Sequence, residues 1–211
     1  MSYGTAPETP KQQPKTVFYL GVLRLKPDQK AEELAVDTDF SSMNFIARAS
    51  TTSLASLTAK AIAEQTKVGE RSTIVEKIGE INLYKTSFGI CAIIVTELNY
   101  DRFAAQGVLT KTIDAFRSKF TPTEIKEKPA PFNWPELRKL RTDAILEDKA
   151  SIAATRRELD ETKFILHQTI EKVLERGEKL DTLVAKSDEL GIMSKNFYKV
   201  SRQQNSCCVV M

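Results

Sequence analysis

Long apolar runs are missing from this chain: no uninterrupted stretch among its 211 residues approaches the ~20 that a membrane-spanning helix needs. Cysteine is scarce. Cys91 stands in an apolar run and Cys207 and Cys208 stand together near the end, a distribution that builds no disulfide framework. Cys91 reads as a small core hydrophobe rather than a reactive thiol. The one histidine, His167, offers neither a Ser-His pairing nor a metal-ligand set, and it follows Leu166 as an exposed side chain. None of the eight glycines forms a phosphate-cradling loop. An excess of one charge is also lacking. The formal net charge is +3, and between 147 and 202 eleven Lys/Arg face eleven Asp/Glu, so no nucleic-acid footprint is expected. No positively charged, apolar signal opens the chain and position 2 is Ser, which argues for synthesis in the cytosol without N-myristoylation. The expectation is of no catalytic residue, no metal and no cofactor.

What is present is a stripe. Ile152, Thr155, Leu159, Thr162, Leu166, Thr169, Val173, Arg176, Leu180, Leu183, Ser187, Leu190, Ser194, Phe197, Ser201 and Gln204 are spaced alternately three and four apart. That is the 3.5-residue period of a coiled-coil seam. Its apolar members are Ile152, Leu159, Leu166, Val173, Leu180, Leu183, Leu190 and Phe197. A lone helix cannot bury such a seam, and Gly177 and Gly191 each cost roughly 1 kcal/mol of helix propensity. Disorder without partners and helix on assembly are expected. Arg176 interrupts the apolar positions. Either its charge is matched inside an assembly or it lies on a frayed, exposed turn.

The run Glu158-Leu-Asp-Glu-Thr-Lys163, followed by Lys172-Val-Leu-Glu-Arg-Gly-Glu-Lys-Leu180, resembles the R-SNARE motif, whose central layer holds one arginine in a four-helix bundle. The resemblance covers about sixty residues on the spacing of that motif. It implies that Arg176 meets three glutamines from three Q-SNARE helices, with Val173 and Leu180 excluding water on either side. Guanidinium donors suit amide oxygens, so the chemistry agrees.

Ahead of the stripe, residues 1–15 hold Pro7, Pro10 and Pro14 and read as a flexible tail. Thr16–Leu25 is apolar enough for a central strand, and Glu33–Asp37 suggests a second. Thr51-Thr52-Ser53 offers a helix cap before Leu54, Leu57, Ala61 and Ile62, with the helix ending near Gly69. Strands follow at Arg71–Lys77, Glu80–Thr86 and Gly89–Thr96, then a helix after Asp101 carrying Leu109, Ile113, Phe116 and Phe120. The order describes an α+β sandwich around one sheet. Tyr19-Leu-Gly-Val-Leu-Arg24 and Phe45-Ile-Ala-Arg-Ala-Ser50 resemble the longin domain that precedes some R-SNARE motifs. That likeness implies a profilin-like domain with a five-stranded antiparallel sheet between helices over 16–120, followed by a helical SNARE coiled-coil segment. Pro122, Pro129, Pro131 and Pro135 interrupt regular structure between 121 and 135. The stretch 121–145 is read as a linker with a short helix, Pro135–Glu147, running into the SNARE segment 146–206. Trp134 is expected to pack locally.

Cys208-Val-Val-Met211 fits the C-a-a-X pattern for farnesyl addition, with Cys207 beside it as a palmitoyl site and 207–211 as the lipidation signal. One lipid holds a membrane marginally and two hold it stably. Lys195, Lys199 and Arg202 either add attraction to an anionic surface or merely keep the helix soluble. The chain resembles most the prenylated, YKT-type longin R-SNAREs. That resemblance implies a closed form in which the SNARE segment folds back over the longin domain, an autoinhibited state. Leu54 and Leu57 are candidates for the covered surface, or plain core. The implied partners are three Q-SNARE helices, membranes through the lipids, and the general SNARE assembly and disassembly machinery. The implied location is cytosol and the cytoplasmic face of Golgi, ER-derived vesicles and endosome or vacuole. The competing reading is an acyltransferase-like enzyme handling acyl groups at Cys207, against which the missing base and pocket motif argue. A lipidated scaffold without a fusion role leaves Arg176 unexplained.

Overall fold

Apolar density places the strands. In the computed structural model, which describes residues 16–76, 79–146, 149–159, 162–174 and 179–206, the densest runs occupy the middle of the sheet. The strand β1 (Val17–Leu25) is buried on both faces between the antiparallel strands β2 (Ala31–Thr38) and β5 (Ile90–Thr96). Two more antiparallel strands, β4 (Gly79–Lys85) and β3 (Arg71–Glu76), extend the sheet beyond β5. Gly89, at φ +77, completes the β4–β5 turn in a conformation that L side chains rarely adopt.

Helices cover both faces. The helix α1 (Phe45–Gln65) starts at Asn44, whose Oδ1 accepts from the Ala47 amide at 3.0 Å. The expected cap at Thr51–Ser53 therefore lies inside the helix. The physical reason is visible there: the Thr52 and Ser53 hydroxyls bond back to the carbonyls of Arg48 and Ala49, at 2.9 and 3.1 Å. On the opposite face runs α2 (Arg102–Lys119), capped by Asp101 and burying Leu109, Ile113 and Phe116, with Phe120 at its end.

The proline-rich stretch is more ordered than expected. Pro122 falls where a helix tolerates it, in the first turn of α3 (Pro122–Glu127), behind a capping box of Thr121 and Glu124. Phe132 and Trp134 are buried against Phe116, ring centroids 5.6 and 5.1 Å away. The next helix, α4 (Glu136–Asp143), begins after Pro135 and passes into a 3-10 turn, Ala144–Leu146, so it is shorter than the expected Pro135–Glu147. Buried Arg141 fastens it to the sheet through Asp37 at 2.6 Å and the Val17 carbonyl at 3.0 Å.

Two cores result. One, under α2, gathers Leu20, Val22, Ile94, Leu109, Phe116 and Trp134. The other, under α1, gathers Tyr19, Leu23, Ile62, Leu83, Cys91 and Ile93. The sheet has the five expected antiparallel strands and a sixth, β6 (Phe164–His167), which lies parallel to β3 at the edge. That strand comes from the seam-bearing segment.

Candidate functional site

Beyond residue 148 the chain winds around the domain. The helix α5 (Lys149–Glu158) lies on α2 and is followed by β6 and a 3-10 turn, Ile170–Lys172. Two further helices, α6 (Leu180–Lys186) and α7 (Ile192–Ser206), lie on α1. The segment is helical in the main, with one strand let into it. Disorder without partners does not hold for its described residues, because the sheet edge and α1 supply the apolar surface that the seam requires.

On the α2 face the approach depends on Gly107. A Cβ there would come within 2.8 Å of the Thr155 hydroxyl oxygen, so the missing side chain lets α5 settle, with Thr155 and Leu159 buried and Ile152 against the core. Arg156 lies 4.8 Å from the Phe103 ring centre and 3.8 Å from Asp101. Phe103 in turn meets Phe164 of β6 edge-on, centroids 5.7 Å apart.

At the edge, the pairs run from Arg71–Phe164 to Ile74–His167. Arg71 is buried and donates to Gln106 at 2.9 Å and Thr110 at 3.0 Å, with its guanidinium 3.5 Å from the Tyr84 ring centre. Burial pulls its pKa down, opposed by Tyr84 and by Glu158 of α5. At the far end of β3 the Glu76 carboxylate accepts from the Ile170 amide at 2.6 Å. The chain thereby turns off the edge onto the α1 face.

There Ile170 and Leu174 become members of the α1-face core, and Val173, Leu180 and Leu183 pack against it. Val184, Leu190 and Ser194 are buried too. A Lys60–Glu189 ion pair of 2.7 Å sits near the start of α7. The two helices are joined by Asp181, which accepts from the Tyr198 hydroxyl at 2.8 Å and from Arg202. Lys195 donates to the Ala185 carbonyl at 3.0 Å. Burial and the Asp181 carboxylate push the Tyr198 hydroxyl up to about 12. A cavity of ≈380 Å³ lies between the helices, lined by Val184, Lys195, Lys199 and Tyr198 among others.

Of the seam residues, Leu159 and Leu190 are buried and Ile152, Val173, Leu180, Leu183 and Phe197 partly so, while Leu166 stays 66% exposed. They share no single stripe here; each reaches whatever the winding path brings near. Leu54 and Leu57 are half-buried on α1, the helix that α6 and α7 cover. Arg176, Cys207 and Cys208 lie outside the described residues. Cys91 is fully buried, which pushes its thiol up to about 12. His167 sits half-buried in β6. The reading from spacing missed Ile170, Leu174 and Val184, whose only signal is that they are apolar and off the stripe. It also missed Glu76 and Gly107. Among the described residues no acid, His or Cys group is placed to hold a metal, and no helix is long and apolar enough to cross a membrane.

A profilin-like sheet that carries its own heptad segment wound around one edge defines a longin-type SNARE. Family models agree at both ends: a Synaptobrevin model matches residues 151–209 and a Regulated-SNARE-like (longin) domain model matches 40–140. The synaptobrevin homologue ykt6 of Schizosaccharomyces pombe is 34% identical over 195 residues, covering 92% of this chain and 98% of that protein. YKT6 of Saccharomyces cerevisiae is 35% identical over 199 residues, covering 92% and 99%. YKT6 of Yarrowia lipolytica is 35% identical over 202 residues, with the same coverage. The chain belongs to the YKT6 family of synaptobrevin homologues, longin-type R-SNAREs that act in vesicle fusion through SNARE complexes. The acyltransferase alternative finds no support in these likenesses.

Proposed function

We propose that the wound form is the resting, autoinhibited state of a lipid-anchored R-SNARE, and that fusion begins when the segment leaves the domain. One observation carries this. Seam residues Val173, Leu180 and Leu183 pack against the domain's α1-face core, and Leu159 and Leu190 are buried in the wound form, so they cannot line a bundle at the same time. In the released segment, 146–206, Arg176 forms the central layer with glutamines from three Q-SNARE helices, and burial of the seam draws the two membranes together. Leu54 and Leu57 belong to the surface that the segment covers. Cys208 carries a farnesyl group and Cys207 a palmitoyl group. The chain cycles between cytosol and the cytoplasmic face of Golgi, ER-derived and endosomal or vacuolar membranes, and the general SNARE machinery assembles and disassembles its complexes.

Full-length Leu57→Glu should give a larger radius of gyration in small-angle scattering and faster formation of a heat-stable complex with three recombinant Q-SNARE motifs. A radius and rate equal to the wild type would remove the autoinhibitory reading. For the anchor, Cys207→Ser should shift the protein from membrane to soluble fractions of its native cell, and unchanged retention would overturn the second lipid.

A further inference from the structure

Six residues that secure the wound segment share one property. Ile170, Leu174, Asp181, Val184, Tyr198 and Arg202 each follow a seam position by one residue: Thr169, Val173, Leu180, Leu183, Phe197 and Ser201. In an α-helix one residue is a rotation of about 100°. On the straight helix of a bundle these six would therefore fall on a second 3–4 stripe, about a quarter turn from the first. In the wound form they are engaged with the domain or with each other. Ile170 and Leu174 lie in the α1-face core, 7% and 6% exposed, and Val184 is 3% exposed. Asp181 joins α6 to α7 through Tyr198 and Arg202, and Arg202 also donates to the Tyr198 hydroxyl at 3.0 Å.

The joint between those helices exists only while the chain is folded back. Tyr198 lies seventeen positions after Asp181, a distance of about 25 Å along a continuous helix. Leu166 shows the converse: a seam residue left 66% exposed when the segment is wound.

We infer that the segment carries two interaction surfaces one residue apart: the seam, shared between partner helices and the closed form, and the second stripe, which serves the closed form alone. The inference rests on the bundle reading above. The second stripe adds to how firmly the closed form is held without entering the core of the assembled complex, so closure is adjustable by substitution there without a change in assembly strength.

The test uses the full chain in four forms: wild type, Leu174→Ser, Asp181→Asn and Leu166→Ser. Fluorescence of Trp134, on the other face of the sheet, reports that the domain remains folded. On the chain alone, amide exchange across α6 and α7 should quicken at least tenfold in Leu174→Ser and several-fold in Asp181→Asn, and stay unchanged in Leu166→Ser. After assembly with three recombinant Q-SNARE motifs, the melting temperature of the complex should fall for Leu166→Ser and match the wild type for the other two. Unchanged exchange in both stripe variants overturns the role in closure. A complex of Leu174→Ser melting as low as that of Leu166→Ser overturns the separation of the two surfaces. Failure of the wild type to form any complex would instead sink the bundle reading, and the exchange measurements would still decide whether the second stripe holds the closed form.

Discussion

The two faces of the sheet hold the segment in different ways. Under α2 the core is filled by the domain's own residues, with Phe132, Trp134, Leu137 and Ala144 closing it, and α5 rests Ile152 on its outside. Under α1 the core is incomplete without the segment, because Ile170 and Leu174 are part of it. Release of α5 therefore costs contact but leaves a finished core, whereas release of α6 and α7 opens an apolar face to water. Closure depends mainly on the α1 face.

A carboxylate placed in the α1-face core is the severest challenge to that asymmetry. Ile170→Asp should cost about 3–5 kcal/mol of docking, since it removes apolar burial and leaves a charge unpaired. Limited proteolysis should then cut around α6 and α7 while Trp134 fluorescence is retained. Equal loss on both faces would erase the distinction.

Alkali should act through the same face. Cys91 and Tyr19 both lie in that core, and burial pushes the thiol up to about 12 and the phenol well above its ordinary value. A raised pKa means that the folded chain keeps a proton which the unfolded chain gives up. Stability is therefore full below about pH 9 and declines above it, by about 2 kcal/mol at pH 10.5 for Cys91. Urea midpoints measured from pH 8 to 10.5 should fall, and Cys91→Ala should flatten part of the decline. The smallest effect belongs to the α2 face. Gly107→Val should displace Thr155 and loosen α5 by about 1–2 kcal/mol, quickening amide exchange over 152–159 and leaving α6 and α7 as they were.

The strands were legible because continuous apolar runs such as Ile90–Val95 have one comfortable place, the middle of a sheet. The start of α1 was not. Asn44 carries no hydrophobic period before it, while Thr51–Ser53 mimic a cap with hydroxyls that serve the helix interior. The proline-rich stretch misled for a similar reason, since Pro122 is compatible with a first turn once Thr121 and Glu124 cap it. For the segment, a 3–4 stripe announces that a partner is needed and says nothing of which. The pairing of β6 is set by a row of amides on β3 and the turn off the edge after it by the Glu76 carboxylate, neither of which has a periodicity to read. Ile170, Leu174 and Val184 were the available clue, three oily residues in places where a dedicated bundle helix could carry charge.

The strand β6 has one more consequence. By pairing with β3 it shields a raw margin of the sheet, whose amides and carbonyls would otherwise invite any extended peptide to add itself. If fusion begins with release of the segment, as proposed, the same release uncovers that margin, and an uncovered edge favours release where helices to zip with are already close at hand.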